Sequence, residues 1–387
     1  MLRYEGLEVY RVDLTLRAPV GTSAGTHLER PVALVRVLSD AGDGWGECGA
    51  LAGGTAVDPS LDGVWPTLVD VVPARLGRAA ASRGGEVPPA GVVAHLFDTT
   101  APNRLAAAAV EMAVLDLELR AAGRSLADYL GIGAAAPPDR APPDGVPAGA
   151  MVGIPADRSV DTLLAAVEGW VTRGFGRVRV KVAPGWDVVP MTAIRQAFPD
   201  LRLQADGNGA YRVGDADRLA ALDALDLGCL EQPLPHADLP GHAALADRLD
   251  TPIGLDESLT TVRAVTDAVK YGACEVACLK PARLGGLLAA RRAVDRCREA
   301  GVSAFVGGLF ETGLARTANA VLSGVPGMDL PGDLSDPADY LVANPAPYPG
   351  AAGGRVVLPG VPGVGSTPDL LTLSQLGATV ERFGRDG

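Results

Sequence analysis

Five charged residues recur about 25 positions apart, and each ends a short apolar run. They are Lys181, Asp206, Glu231, Asp256 and Lys280. A period of this length suits the strand, loop and helix that repeat around a (β/α)₈ barrel. The active site of that fold lies at the C-terminal ends of the strands. We therefore expect three carboxylates and two lysines to meet in one pocket.

The three acids are predicted on consecutive strands, which lie about 4.8 Å apart in a sheet. Carboxylates this close repel one another unless a cation lies among them. No histidine or cysteine is expected nearby, so the ligands are hard oxygens, which favour Mg²⁺, or Mn²⁺ as a substitute, over zinc. The alternative is that each acid caps the next helix or pairs with a surface arginine.

The two lysines are predicted on strands two and six, so they face each other across the pocket. A divalent ion that holds a substrate carboxylate makes the α-proton more acidic by stabilising the enediolate. A lysine accepts that proton only when neutral, and its usual pKa of about 10.4 is too high near pH 7. We expect Arg179 and the metal to lower the pKa of Lys181, and Arg283 to lower that of Lys280. For each lysine alone, the alternative is a solvated charge at the rim.

Composition excludes several kinds of partner. The chain has 387 residues, enough for two domains, and 48% of them are hydrophobic. Its net charge is −12 without a basic block, which argues against nucleic acid or an anionic membrane. We find no apolar signal region and no run of 18 apolar residues, so we expect a cytoplasmic protein. The five scattered cysteines are expected to be reduced core thiols.

Hydrophobic periodicity divides the chain into three segments. Residues 1–130 are predicted to form an α+β capping domain, residues 145–330 the barrel, and residues 331–387 a segment that packs back on the capping domain. The capping domain is predicted to have strands at 7–14, 31–38 and 45–48 and a helix at 103–122. The barrel strands are predicted at 148–152, 177–182, 201–205, 227–230, 252–255, 276–279, 303–306 and 327–330.

The motifs around the five charged residues resemble those of the enolase superfamily. Within it they are similar to the muconate-lactonizing-like subgroup, in the o-succinylbenzoate synthase and N-succinylamino acid racemase branch. Arg179-Val180-Lys181 resembles the Lys-x-Lys motif of the second strand, with arginine in the first place. The other matching segments are 206–208, 230–234, 255–258, 280–286 and 307–313.

The resemblance implies a modified (β/α)₈ TIM barrel under a capping domain that the C-terminal segment completes. It implies Mg²⁺ at the three acids, Lys181 as the base and Lys280 as the opposing amine. The loop 19–27 is expected to close over the substrate, with Thr22, Ser23 and Gly25 in it. The resemblance assigns supporting or substrate contacts to Arg179, Asn208, Glu257, Arg283, Gly307, Gly308, Leu309 and Glu311.

Two reactions are implied, both on a small-molecule carboxylate. One is dehydration of a succinylated cyclohexadiene carboxylate to o-succinylbenzoate, a menaquinone precursor, through an enediolate that the metal stabilises. The other is racemisation of N-succinyl or other N-acyl amino acids by both lysines, and one enzyme can do both. A non-catalytic carboxylate-binding homologue is a third reading. Residues 328–330 lack the Asp-x-Asp pattern of dipeptide epimerases at the eighth strand. We also expect a homo-oligomer.

Overall fold

A four-stranded antiparallel sheet and an eight-stranded parallel barrel form the core of the computed structural model, which describes residues 2–22, 25–132 and 145–384. The strands are β1 (Tyr4–Thr22), β2 (Gly25–Ser39), β3 (Gly42–Cys48), β4 (Val146–Val152), β5 (Arg177–Lys181), β6 (Arg202–Asp206), β7 (Cys229–Glu231), β8 (Ile253–Leu255), β9 (Val276–Leu279), β10 (Ser303–Val306), β11 (Gly332–Asp333), β12 (Arg355–Val356) and β13 (Thr379–Gly384).

The α-helices fall into two groups, five in the capping domain and the others around or after the barrel strands. The helices are α1 (Leu61–Pro66), α2 (Val72–Ala81), α3 (Ala90–Val93), α4 (Ala101–Ala121), α5 (Leu126–Tyr129), α6 (Val160–Thr172), α7 (Val188–Ala197), α8 (Ala216–Ala220), α9 (Leu239–Ala246), α10 (Val262–Lys270), α11 (Pro281–Leu284), α12 (Leu287–Glu299), α13 (Gly313–Leu322) and α14 (Leu370–Gln375). Within the described ranges, none is long and apolar enough to cross a bilayer.

Helix α4 packs against the capping sheet at very short range. A Cβ atom at Gly46 would lie 1.9 Å from the carbonyl oxygen of Ala109, and one at Gly44 would lie 2.1 Å from that of Ala113. Glycine in β3 and alanine in α4 therefore let the strand and the helix approach closely. The middle of α4 is buried all round, which agrees with its position inside the protein.

The C-terminal segment completes the capping sheet. Strand β13 pairs with β1 in an antiparallel ladder, so the sheet order is β13-β1-β2-β3. The buried carboxylate of Asp116 accepts hydrogen bonds from the backbone N–H groups of Trp45 at 3.0 Å and Val364 at 2.8 Å. This one side chain thus ties α4 to both β3 and the C-terminal segment.

The barrel strands run in chain order from β4 to β10, with β11 beside β4, and every adjacent pair is parallel. All five residues of β5 are buried although three are basic. Because side chains alternate along a strand, Val178 and Val180 join the apolar layer beneath the helices while the basic residues share the opposite face. The predicted fold class is confirmed.

The predicted position of the eighth strand is wrong. Residues 327–330 lie outside the strands, and the N–H groups of Asp329 and Leu330 both donate to the carbonyl oxygen of Ala304. The strand is β11, which pairs with β4 and lies beyond residue 330, where the barrel was predicted to end. Its two residues, Gly332 and Asp333, have low β-propensity, so the sequence pattern carried no strand signal.

Candidate active site

The five recurring charged residues lie together at one edge of the barrel. Lys181, Asp206 and Glu231 end β5, β6 and β7 and stand level with one another in the strand register. Asp256 and Lys280 directly follow β8 and β9. Lys181 and Lys280 are four strands apart in the barrel order, and both line one cavity of about 1120 Å³. The structure therefore brings all five predicted residues to one site.

Each lysine forms an ion pair with a different acid. Lys181 Nζ lies 2.6 Å from Asp206 Oδ2, and Lys280 Nζ lies 2.6 Å from Asp256 Oδ2. Burial of Lys280 opposes its positive charge, but the neighbouring Asp256 carboxylate outweighs this and raises the pKa of Lys280. The expectation of a lowered pKa for Lys280 is therefore wrong, because Arg283 lowers it by less than Asp256 raises it. A cation bound to Asp256 would compensate the negative charge of this carboxylate and so weaken its effect on the pKa of Lys280.

In the part of the chain that the structure describes, Glu231 forms one ion pair, with Arg179, whereas Asp206 and Asp256 each form two. It is fully buried, and its Oε2 atom has no hydrogen-bond partner among the described residues. Burial and the negative charges of Asp206 and Asp256 raise its pKa to about 8, against the opposing effect of Arg179. A buried carboxylate with a free oxygen between two other acids fits a divalent-cation site.

Arg179 lines the cavity, and its guanidinium is held by three acids. Its Nη1 binds Glu231 and lies 3.6 Å from Asp206 Oδ2, while its Nη2 binds Asp333. Asp333 also pairs with Arg177 at 2.7 Å. The two arginines lower the pKa of Asp333 despite its burial. Arg179 therefore joins the second, fourth and eighth barrel strands, a contact that was not predicted because β11 was misplaced.

The predicted supporting residue Arg283 connects the site to the capping domain. Its Nη1 binds Asp256 Oδ1, and its Nε lies 2.8 Å from Oδ2 of Asp58, which follows β3. All three side chains are buried. Asp58 was missed because a lone loop aspartate carries no signal of its distant partner.

Asn208 and Glu257 form a second polar pair in the cavity wall. Asn208 Nδ2 donates to Glu257 Oε1 at 3.0 Å. Asn208 Oδ1 and Glu257 Oε2 are buried and have no partner in the described part of the chain. Burial and the nearby Asp256 and Asp206 raise the pKa of Glu257. These two unpartnered oxygens are available to a substrate or to water that enters the site.

The loop after β10 contributes to the wall with Gly308 and Leu309. Its glycine N–H groups already donate within the protein, from Gly307 to the Leu279 carbonyl and from Gly308 to Asp333 at 3.2 Å. They are therefore not free for a substrate carboxylate. Glu311 lies behind the loop, where it accepts from Leu309 N–H at 2.9 Å and forms an ion pair with Arg316 at 3.0 Å.

The hairpin of β1 and β2 stands at the mouth of the cavity through Ala18, Pro19, Leu28 and Glu29. The backbones of Thr22 and Gly25 pair at its tip. Ser23, the third residue predicted in the lid loop, lies outside the described residues. The lid role of this loop remains a prediction.

The prediction that no cysteine lies near the acids is wrong. The Sγ atom of Cys278 and carboxylate oxygens of Glu231 and Asp256 lie within 4.8 Å of one another. Cys278 precedes Lys280 by two residues, so strand alternation places both on the inward face of the barrel. That two-residue spacing was a sufficient signal to place Cys278 beside the acids.

Comparisons with known proteins agree with this architecture. Residues 162–371 match the enolase C-terminal domain-like family, and residues 6–131 match the N-terminal domain of mandelate racemase and muconate lactonizing enzyme. A solved probable mandelate racemase from Alicyclobacillus acidocaldarius is 34% identical, with a TM-score of 0.87 over 99% of this chain and 100% of that one.

Characterised relatives carry two activity names. An N-succinylamino acid racemase from Amycolatopsis is 40% identical over 95% of both chains. An o-succinylbenzoate synthase from Geobacillus kaustophilus is 34% identical over 92% of both chains. With the fold, the five strand-end residues and these relatives in agreement, the chain belongs to the enolase superfamily, as an enzyme of the o-succinylbenzoate synthase and N-succinylamino acid racemase branch.

Proposed function

We propose that this enzyme is a Mg²⁺-dependent o-succinylbenzoate synthase that dehydrates a succinylated cyclohexadiene carboxylate. The observation that carries the proposal is the position of Lys181 and Lys280, which line one cavity on either side of a buried acid cluster. Lys181 removes the α-proton and then returns a proton to the departing hydroxyl group. Between these two steps negative charge develops on the substrate, and the Lys280 ammonium stabilises it.

The acids Asp206, Glu231 and Asp256 would hold the metal, with Mn²⁺ as a substitute for Mg²⁺. The unpartnered Oε2 and raised pKa of Glu231 support this assignment. A bound divalent cation supplies positive charge against the negative charge that grows on the substrate carboxylate as the α-proton leaves. Solved dipeptide epimerases of the same fold, from Cytophaga hutchinsonii and Enterococcus faecalis, are complexes with Mg.

Lysine use in this chain supports the role of the two amines. The sequence contains 34 lysine and arginine residues, of which only Lys181, Lys270 and Lys280 are lysine. Arginine stays charged in proteins, whereas lysine can lose its proton when its surroundings demand it. In the proposed mechanism Lys181 and Lys280 face the substrate, where a side chain must gain or lose a proton. Arg179 stands at a position that requires only a fixed positive charge.

Racemisation of N-succinylamino acids is the second candidate activity. Two amines on opposite sides of one α-carbon are what a 1,1-proton transfer requires, and the Amycolatopsis relative at 40% identity carries that name. The same pair of lysines serves both reactions, so a bifunctional enzyme is part of the proposal.

The sequence of the eighth strand, β11, argues against dipeptide epimerisation. The segment there is Asp333-Leu334-Ser335, which again lacks the second acid of an Asp-x-Asp pattern. The one acid present is bound by Arg177 and Arg179, so its charge is already compensated.

The test is to assay the purified protein with Mg²⁺ on both substrates. Formation of o-succinylbenzoate from the cyclohexadiene carboxylate supports the synthase. Racemisation of an N-succinylamino acid in D₂O, with deuterium entering the α-carbon, supports the second activity. Deuterium exchange without racemisation would demote the racemase, and inactivity on both substrates would overturn the proposal.

A further inference from the structure

The inner layer of the barrel just below the lysines combines soft and hard ligand atoms. Cys278 Sγ and carboxylate oxygens of Glu231 and Asp256 lie within 4.8 Å of one another, and all three residues are buried. Asp206, the remaining acid of the proposed Mg²⁺ site, does not belong to this cluster, and its Oδ2 pairs with Lys181 at 2.6 Å.

A second observation points to a missing ligand at the cluster. Glu231 is fully buried, and its Oε2 has no partner among the residues that the structure describes. Three positive side chains within the described ranges contact the cluster. Arg179 Nη1 binds Glu231 Oε1 and lies 3.9 Å from Cys278 Sγ, while Lys280 and Arg283 pair with Asp256. A cation at the cluster would compete with Arg179 for Glu231 and with Lys280 and Arg283 for Asp256, and Arg179 would keep its second contact, from Nη2 to Asp333.

We propose that Glu231, Asp256 and Cys278 bind a thiophilic divalent cation of the zinc class, at a site that overlaps the proposed Mg²⁺ site. Thiolate sulfur selects zinc-class ions, whereas Mg²⁺ takes oxygen ligands almost alone. Metal–sulfur and metal–oxygen bonds of about 2.3 Å and 2.0–2.2 Å place tetrahedral ligand atoms roughly 3.5 Å apart. Small side-chain rotations bring atoms within 4.8 Å to that spacing.

Binding replaces the thiol proton by the metal. The S–H bond breaks, the proton leaves to solvent, and the sulfur electron pair forms the metal–sulfur bond. Because Glu231 and Asp256 belong to both ligand sets, a zinc-class ion and Mg²⁺ exclude each other. The enzyme is therefore inhibited by zinc-class ions through Cys278, whichever of the two candidate reactions it catalyses.

The test is a titration of the chelator-treated protein with Cd²⁺, followed by the ultraviolet charge-transfer absorption of a thiolate–cadmium bond. Cys278→Ser removes the soft ligand at nearly constant volume. Cys229→Ser is the matched control, because Cys229 is a buried barrel thiol that precedes Glu231 by two residues and is not in the cluster. Mg²⁺ binding by each variant is measured by calorimetry to show that the acids remain in place.

We expect one equivalent of Cd²⁺ to produce the band in the wild type and in Cys229→Ser. In Cys278→Ser the band should be absent, and the Cd²⁺ affinity should fall by more than the 10–100-fold typical for loss of an outer-shell partner. No band in the wild type, or a band that survives in Cys278→Ser, would overturn the inference. Neither result bears on the proposed reaction, because no substrate is present.

Discussion

Asp58 of the capping domain accepts a hydrogen bond at 2.8 Å from Arg283 Nε, and the same guanidinium binds Asp256 at the barrel edge. The two residues are 225 positions apart in the sequence. Since Asp256 also pairs with Lys280, a chain of buried charges runs from the cap to the proposed catalytic amine. Closure of the cap over the barrel and the position of that amine are therefore physically linked.

Replacing Asp58 by Asn should weaken this link without changing the size of the side chain. We expect the free energy of unfolding to fall by about 2 kcal/mol, because a buried guanidinium loses its charged acceptor. We expect kcat to fall about 10-fold or more as Arg283 shifts against Asp256. Urea unfolding and steady-state kinetics measure the two effects.

The control for that experiment is Asp62→Asn. Asp62 pairs with Arg11 at 2.7 Å on the surface, and exposed pairs of this kind contribute less than about 1 kcal/mol. If the Asp58 and Asp62 variants lost the same free energy of unfolding, the buried contact between Asp58 and Arg283 would contribute no more to stability than a surface ion pair.

Lys181→Ala should abolish turnover because it removes the proposed base, whose loss typically costs about 10²–10⁴-fold. Mg²⁺ binding should be retained, since the substitution frees Asp206 from its ion pair rather than removing a ligand. Lys270→Ala, at the exposed end of α10, is the control and should be fully active. Wild-type turnover in Lys181→Ala would contradict the proposed role of Lys181 as the base.

Lys280→Ala should separate the two candidate reactions. Racemisation needs a proton-transferring group on each side of the α-carbon. It should be lost in this variant, which lacks the amine on one side. Exchange of the α-proton of one enantiomer with D₂O should persist, because Lys181 still faces that side. NMR of each N-succinylamino acid enantiomer in D₂O measures this. Equal loss of exchange for both enantiomers would contradict the placement of the lysines on opposite sides.

Gly307→Ala should displace the Lys280 amine. A Cβ atom there would lie 2.4 Å from Cys278 Sγ and 2.8 Å from Lys280 Cε, so both side chains must move. A shift of about 1 Å can cost 10²-fold in rate, and we expect kcat to fall by that order. Gly91→Ala, with nothing within 4 Å, is the control. Unchanged kcat in Gly307→Ala would show that the amine position is not critical.

The stability of the protein should depend on the protonation of Glu111 in α4. Its buried carboxylate accepts from the N–H groups of Leu287 at 3.1 Å and Leu288 at 2.8 Å, and burial raises its pKa to about 7. The folded state therefore holds a proton that the unfolded chain releases near pH 4.5. The free energy of unfolding should fall as pH rises from about 4.5 to 7, by roughly 3 kcal/mol from this group.

Urea unfolding at several pH values measures that slope, and Glu111→Gln should remove its share of it. The glutamine carries no charge at any pH, so the difference between variant and wild type isolates this group. A slope that is identical in both proteins would contradict the assignment.

The sequence was most informative where the fold repeats. A charged residue at the end of each apolar run predicted all five residues of the acid and lysine cluster, because equivalent strand ends meet at one edge of a barrel. It was least informative where contacts depend on the docking of distant segments. Asp58 meets Arg283 only through the cap, and β11 has two residues without strand propensity. Cys278 could have been predicted, because alternation along a strand puts it on the same face as Lys280.

The scarcity of lysine has a practical consequence for measuring this chemistry. Reductive methylation with ¹³C-formaldehyde tags every amine, and here it would give NMR signals from three lysines and the amino terminus alone. Lys270 stands in solvent as an internal reference, while Lys181 and Lys280 are almost fully enclosed. The proton affinity of each proposed catalytic amine can thus be followed directly, with and without magnesium, on a chain that is altered only at its amines.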